Sequence, residues 1–227
     1  MSETRLHVFT INGVRVQAAD RRASVAAGIV ACELQSDCYG LGRIDFKPGD
    51  VILDIGAHIG LFAVYAGLRF PEVLIHAFEP FPDNCELLRE NLKRNRVGNV
   101  RVHNLGVSGD GRLLEMATNP ENSGGASCHS FTLTHRRTGM IPSTTLDGVF
   151  DSLGIDACKL LKIDCEGSEY EILFSTSALP KVEYLSGEFH FNDHLLGMGY
   201  TAEGLLQHCR KYIEPGKLKV SSCRMRQ

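Results

Sequence analysis

One stretch constrains this chain more than any other: Val51-Ile52-Leu53-Asp54-Ile55-Gly56-Ala57-His58-Ile59-Gly60, followed by Leu61-Phe62-Ala63-Val64-Tyr65-Ala66. It reads as a buried strand that ends on a carboxylate, a glycine turn, and the start of a helix. Strand, turn and helix in that order build the phosphate- or nucleoside-binding corner of an open α/β sheet. Gly56 lets a ligand approach the backbone with no Cβ in the way. Gly60 allows the helix to pack closely on its strand.

The spacing narrows the ligand. A dinucleotide fingerprint runs Gly-x-Gly-x-x-Gly. Here Asp54 stands where the first glycine would be and Ile59 where the third would be. A carboxylate at that corner repels a pyrophosphate and favours a cationic group, such as the amino group or sulfonium of S-adenosylmethionine. An ordinary strand–turn–helix with Asp54 as a cap uses the same residues.

A second buried strand, Glu72 to Pro80, ends on Glu79, which lies 19 residues past Gly60. An acid at that separation, at the end of the next strand, takes ribose hydroxyls in nucleotide-binding sheets. Its carboxylate accepts from both the 2′- and 3′-hydroxyls. Residues 82–95 read as a helix and Val100–Asn104 as a third strand. The loop after it would face an adenine, through the amide of Asn104 and the backbone at Gly106 and Val107. Farther on, Lys159-Leu160-Leu161-Lys162-Ile163-Asp164 reads as a central strand with Asp164 at its carboxyl end, where open α/β sheets place ligands. Glu166, Gly167 and Glu169 follow, and Glu169 and Glu171 suit the positive end of the next helix. A fifth strand, Val182 to His190, also ends in polar groups, Glu188 and His190. Residues 201–212 read as a final helix, and Leu218-Lys219-Val220 as an antiparallel edge strand.

Around this frame, residues 5–18 alternate about Asn12-Gly13 and predict a hairpin outside the main sheet. Residues 22–35 predict a helix. The chain divides into an N-terminal hairpin and helix, 1–47, on the cap or substrate side, and a main domain, 48–227. Residues 112–117 predict an extra strand. The polar stretch 118–140 is expected to be a lid or substrate loop, and Cys128, His129 and His135 within it match no zinc spacing.

Composition excludes other classes. The chain has 227 residues, a net charge of -3 and no basic run of five or more, so a nucleic-acid partner is not expected. None of its 8 cysteines forms a Cys-x-x-Cys pair, and free thiols are expected. No apolar run is long enough to span a membrane, and the start of the chain lacks a charged-then-apolar leader. A cytoplasmic location is expected.

Taken together, Asp54 to Gly60, Phe78-Glu79-Pro80, Thr144-Thr145-Leu146-Asp147, Leu161 to Glu169 and Glu188-Phe189-His190 resemble the FkbM family of S-adenosylmethionine-dependent methyltransferases, over about residues 48–190. That family usually has Asn where His58 stands and Val where Cys165 stands. The resemblance implies a Rossmann-like class I methyltransferase: a mostly parallel central sheet, helices on both faces and an antiparallel final strand. It implies S-adenosylmethionine as cofactor and O-methylation of a hydroxyl on a sugar or natural product.

On that reading the cofactor set is Asp54, Gly56, His58, Gly60, Glu79, Pro80, Asn104, Gly106 and Asp164. Asp54 and the Gly56 turn hold the methionine part, Glu79 the ribose and the 104–107 loop the adenine. His190 is the candidate base, because an imidazole titrates near neutral pH. Asp164 is the second candidate, as base or as orienter of the acceptor. No metal is expected, although His190, Asp193 and His194 with Asp164 or Glu166 supply ligand types for one. The alternatives are N-methylation of a peptide or small amine, a nicotinamide oxidoreductase, against which Asp54 counts, and a non-catalytic nucleoside-binding module.

Overall fold

The computed structural model describes residues 3–119, 122–127 and 136–225. The chain opens with β1 (Thr4–Ile11) and β2 (Val14–Arg21), an antiparallel hairpin separate from the main sheet. Helix α1 (Ala26–Gln35) follows. The main sheet begins with β3 (Val51–Ile55), leads through α2 (Leu61–Arg69) to β4 (Leu74–Phe78), and through α3 (Pro82–Arg94) to β5 (Val100–His103). Then come β6 (Gly106–Val107), an antiparallel group of β7 (Leu114–Asn119), β8 (Asn122–Ser127) and β9 (Arg136–Ile141), and β10 (Ser143–Thr144), which pairs with β6 in parallel. The chain rejoins the sheet through α4 (Leu146–Leu153) and β11 (Cys158–Ile163). It ends with α5 (Glu169–Ser175), β12 (Val182–Phe191), α6 (Asp193–Gly197), α7 (Ala202–Cys209) and β13 (Leu218–Arg224).

The main sheet has six strands in the order β13-β12-β11-β3-β4-β5. Every pairing in it is parallel. The antiparallel final strand is therefore corrected to a parallel one. β12 ends at the ligand side of the sheet, and α6 and α7 carry the chain back, so Leu218 of β13 starts beside Leu185 of β12. A helical crossover returns a strand in the same direction, whereas a short turn would reverse it. In the polar stretch 118–140 strands stand where a loop was expected. Its described residues form the end of β7, β8 and most of β9, built on backbone pairing that a sequence such as Asn-Ser-Gly-Gly-Ala-Ser does not announce. Cys128, His129 and His135 lie outside the described residues.

The pleat sends alternate residues to opposite faces. Ile52 and Leu160 join a core with α1, α2 and α3, while Leu53, Ile55, Leu161 and Ile163 join one with α4, α5 and α7. The N-terminal hairpin is tied to the first face by buried Asn91 of α3. Its amide accepts from Ala19 N at 2.7 Å and donates to Ala19 O at 3.1 Å and to Ile59 O at 3.0 Å. This bond set holds β2, α3 and the glycine turn as one unit.

Candidate active site

The order of strands reverses between β3 and β11, so the crevice lies at their carboxyl ends. There Gly56 and Asp164 meet. Gly56 has φ +80°, and a Cβ on it would stand 1.9 Å from the Asp164 carbonyl oxygen. This glycine is thus required by the approach of one chain segment to another, before any ligand is considered. Gly60 also differs from its expected role: a Cβ there would lie 2.7 Å from Leu88 Cγ, so it permits packing on α3, not on its own strand.

Two cavities open at this point, and both are lined by Gly56, His58, Asp164 and Glu166. The first runs over the end of β4, past Glu79 and Pro80, to an apolar slot of Phe81, Val107, Leu114 and Met116 beside Gly106. Glu79 is buried there. Its Oε1 accepts from Phe81 N at 3.0 Å and Asn84 Nδ2 at 3.1 Å, and its Oε2 accepts from His58 N at 2.8 Å. Oε2 keeps acceptor capacity toward the cavity, since a carboxylate oxygen has two lone-pair sites. Asn104 does not line this cavity. Its amide donates to Glu79 O at 3.0 Å and Pro80 O at 2.8 Å, bracing the turn that carries Glu79. The apolar wall from Phe81, Leu114 and Met116 was not foreseen, because it needs β7 folded back over β4.

Asp54 is placed differently from its expected role. It is fully buried and lines neither cavity. Its cross-strand neighbour is Lys162 of β11, whose Nζ lies 3.1 Å from Asp54 Oδ1. The same ammonium donates to Gly56 O at 2.9 Å, lies 3.8 Å from Asp164 Oδ2, and sits 5.8 Å from the centre of the Phe62 ring. Burial works against this charge, but the Asp54 and Asp164 carboxylates outweigh it and hold the Lys162 pKa above its ordinary value. The cation that Asp54 attracts is therefore within the protein. Each strand carries one charge in an apolar run, of opposite sign, and that was the available sequence signal for the pair.

The second cavity is bounded by Val30 and Glu33 of α1, by Tyr39 beyond that helix, and by Lys162, Glu188 and His190. His190 is 4 % exposed. Its Nδ1 is 3.1 Å from Glu169 Oε1, and its Nε2 is 3.4 Å from Glu188, 3.8 Å from Glu166 and 4.0 Å from Asp164. Glu169 is itself clamped to the turn after β11, accepting from Cys165 N at 2.7 Å and Gly167 N at 2.9 Å. Burial disfavours a charged imidazole here, yet hydrogen bonds to Glu169 and Glu188 reverse that and push its pKa up to about 12. Carboxylates thus face both ring nitrogens of His190, an arrangement that favours its protonated form. Burial pushes Glu166 up to about 7 and lowers His58 to about 4. Asp193 points elsewhere, pairing with Arg224 at 2.5 Å.

A carboxylate at the end of the second strand, an apolar slot beyond it and a polar crevice at the strand reversal fit an adenosine-bearing cofactor, and the comparisons agree. Residues 54–210 match the model of the methyltransferase FkbM domain. The chain is 31% identical over 190 residues to the 31-O-demethyl-FK506 methyltransferase FkbM of Streptomyces tacrolimicus, covering 70% of this chain and 73% of that protein. It is 29% identical over 157 residues to the hexuronic acid methyltransferase AglP of Haloferax volcanii, covering 69% of this chain and 62% of that one. Among solved structures, a precorrin-6y C5,15-methyltransferase from Geobacter metallireducens aligns over 78% of this chain and 71% of its own, at 15% identity and a TM-score of 0.47. With the family domain spanning the crevice and every strand end that lines it, the chain belongs to the FkbM family of S-adenosylmethionine-dependent methyltransferases.

Proposed function

We propose that the chain transfers a methyl group to a hydroxyl of a sugar or natural-product acceptor, with the cofactor in the first cavity and the acceptor in the second. The observation that carries this reading is the shared wall: Gly56, His58, Asp164 and Glu166 face both cavities, so groups bound on either side meet there. S-adenosylmethionine supplies a methyl group on a sulfonium. Glu79 is assigned to the ribose hydroxyls through Oε2, the Phe81–Leu114–Met116 slot with Gly106 to the adenine, and Pro80 to the edge between them. The Gly56–His58 turn and Asp164 are assigned to the methionine part. Asp54 and Gly60 act one layer behind, by holding Lys162 and by seating α2. Holding two groups in line accounts for much of such a transfer, because the chemistry is a single displacement.

The acceptor class rests on the relatives, one named for 31-O-demethyl-FK506 and one for a hexuronic acid. Among the described residues no helix is long and apolar enough to cross a membrane.

Calorimetric titration of S-adenosylhomocysteine tests the cofactor assignment. The wild-type chain is expected to bind in the micromolar range, about -8 kcal/mol. Glu79→Gln keeps the shape and weakens binding by roughly 10-fold or more, the loss of a hydrogen bond to a charged group. An unchanged affinity in this variant would remove the ribose from Glu79. The acceptor is then sought by incubating labelled S-adenosylmethionine with methyl hexuronides, methyl hexosides and 31-O-demethyl-FK506.

A further inference from the structure

We propose that Glu188, His190 and Cys223 form a site for a zinc-type divalent cation, which fastens the edge strand β13 to β12 beside the second cavity.

Register brings the three residues together. Glu188 and His190 stand two apart in β12, so their side chains leave the same face of the sheet. Cys223 is the partner of His190 in the parallel β12–β13 ladder. A carboxylate oxygen of Glu188, a ring nitrogen of His190 and Cys223 Sγ all lie within 4.8 Å of one another. His190 Nε2 is 3.4 Å from Glu188 Oε2. That separation is long for a hydrogen bond. It matches the edge of a tetrahedron whose centre is about 2.1 Å from each corner, the distance of zinc from imidazole nitrogen and carboxylate oxygen. The Cys223 thiol is free of any disulfide, and its contact to Arg224 O is a weak one at 3.8 Å.

The ligand types select the ion. Sulfur, nitrogen and oxygen in one set suit zinc, whereas magnesium and calcium take oxygen. The Cys223 thiolate and the Glu188 carboxylate balance its two positive charges. As the ion enters, the protons of the thiol and of Nε2 go to solvent. Asp164 Oδ1 and Glu166 Oε2, 4.0 and 3.8 Å from Nε2, add negative potential at the site.

The groups behind the ligands are the independent argument. A metal-bound imidazole donates its other N–H to a carboxylate or carbonyl, and a metal-bound carboxylate is itself hydrogen-bonded. Both supports are built here. His190 Nδ1 lies 3.1 Å from Glu169 Oε1, which leaves Nε2 directed at Glu188. Ser221 Oγ donates to Glu188 Oε1 at 3.2 Å, and Oε2 is the oxygen that faces His190. Glu169 of α5 and Ser221 of β13 thus fix the two ligands of β12 from outside the set. Asp164, Glu169 and His190 form a second close group. Glu169 is already engaged by Cys165 N, Gly167 N and the His190 ring, so it supports a ligand and does not serve as one. No short cysteine or histidine spacing announces the site, because the pairing that supplies Cys223 is made across α6 and α7.

The test titrates the full chain, under reducing conditions, with zinc chloride by calorimetry and with cobalt chloride by absorption. About one equivalent of zinc is expected to bind, at micromolar affinity or tighter. Cobalt should give the visible bands of a tetrahedral site and the near-ultraviolet charge-transfer band of a cobalt–thiolate bond. Cys223→Ser should lose the charge-transfer band and bind zinc at least about 10-fold more weakly. Ser221→Ala touches no ligand and should weaken zinc by about 10-fold or more, through the freed Glu188. Cys32→Ser removes an exposed thiol on α1 and should bind as the wild type does. Zinc should raise the Tm of the wild type more than that of Cys223→Ser, and similar metal-free Tm values keep folding out of the comparison. A charge-transfer band that survives in Cys223→Ser, or that is lost in Cys32→Ser, overturns the proposal. So does a wild type that binds zinc no more tightly than about 100 μM.

Discussion

Replacing Lys162 with methionine is expected to cost about 3–5 kcal/mol of folding stability, the range for breaking a buried ion pair by removing one partner. Lys162 is the only buried lysine or arginine among the described residues. Without its ammonium, the Asp54 carboxylate is left uncompensated at 0 % exposure between two central strands. Gly56 O also loses its donor, so affinity for S-adenosylhomocysteine falls along with stability. Urea denaturation checks the first effect and calorimetry the second. Combining the substitution with Asp54→Asn removes the stranded charge and should recover more than half of the loss, a coupling read from the double-mutant cycle. A loss below 1 kcal/mol in Lys162→Met would mean that Asp54 finds water or a proton instead.

The pH dependence has a definite sign. The folded-state pKa of Lys162 is raised. The stability it contributes is therefore fully present below the unfolded lysine value, about 10.4, and is lost as pH rises from there through the folded value. The difference between wild type and Lys162→Met should shrink above about 10.4.

The second large effect is expected at Gly56. Alanine there carries the cost of a left-handed conformation, about 1–2 kcal/mol. It also overpacks a closed site, at a further 1–3 kcal/mol or more. The new Cβ would meet backbone, the Asp164 carbonyl at 1.9 Å, and no side-chain rotation relieves that. The ends of β3 and β11 must separate, and with them the wall shared by the two cavities. Gly56→Ala is expected to lose about 2–5 kcal/mol in denaturation and to abolish measurable S-adenosylhomocysteine binding. Gly98→Ala is the matched control, since a Cβ there meets nothing within 4 Å, and its effect should stay within about 0.5 kcal/mol. Retained micromolar binding in Gly56→Ala would show that the two strand ends are not a rigid unit.

Much of the crevice was legible because its signals are local. Glu79 and Asp164 each follow an apolar run, so their place at strand ends comes from the period of the strand and the turn behind it. Gly56 and Asn12-Gly13 announce their turns in the same way. The apolar slot was less legible, because Phe81, Leu114 and Met116 are ordinary apolar residues until β7 covers the end of β4.

What the amino-acid sequence determined by itself is the strand–turn–helix alternation, the family motifs and the acids that ring the crevice. The tertiary structure alone decided what those acids meet. Lys162 looks like one more polar residue in a strand until it meets the carbonyl of Gly56, 106 positions away. His190 looks like a lone imidazole at a strand end until Glu169 and Glu188 close on its two ring nitrogens. Asn104 looks like a base-pairing amide until it turns to the Glu79–Pro80 carbonyls. The parallel course of β13 depends on where α6 and α7 return the chain. Protonation, pairing and strand direction depend on distances between segments far apart in the chain. Charges interact as the inverse of those distances and the local dielectric, and neither quantity exists before the chain is folded.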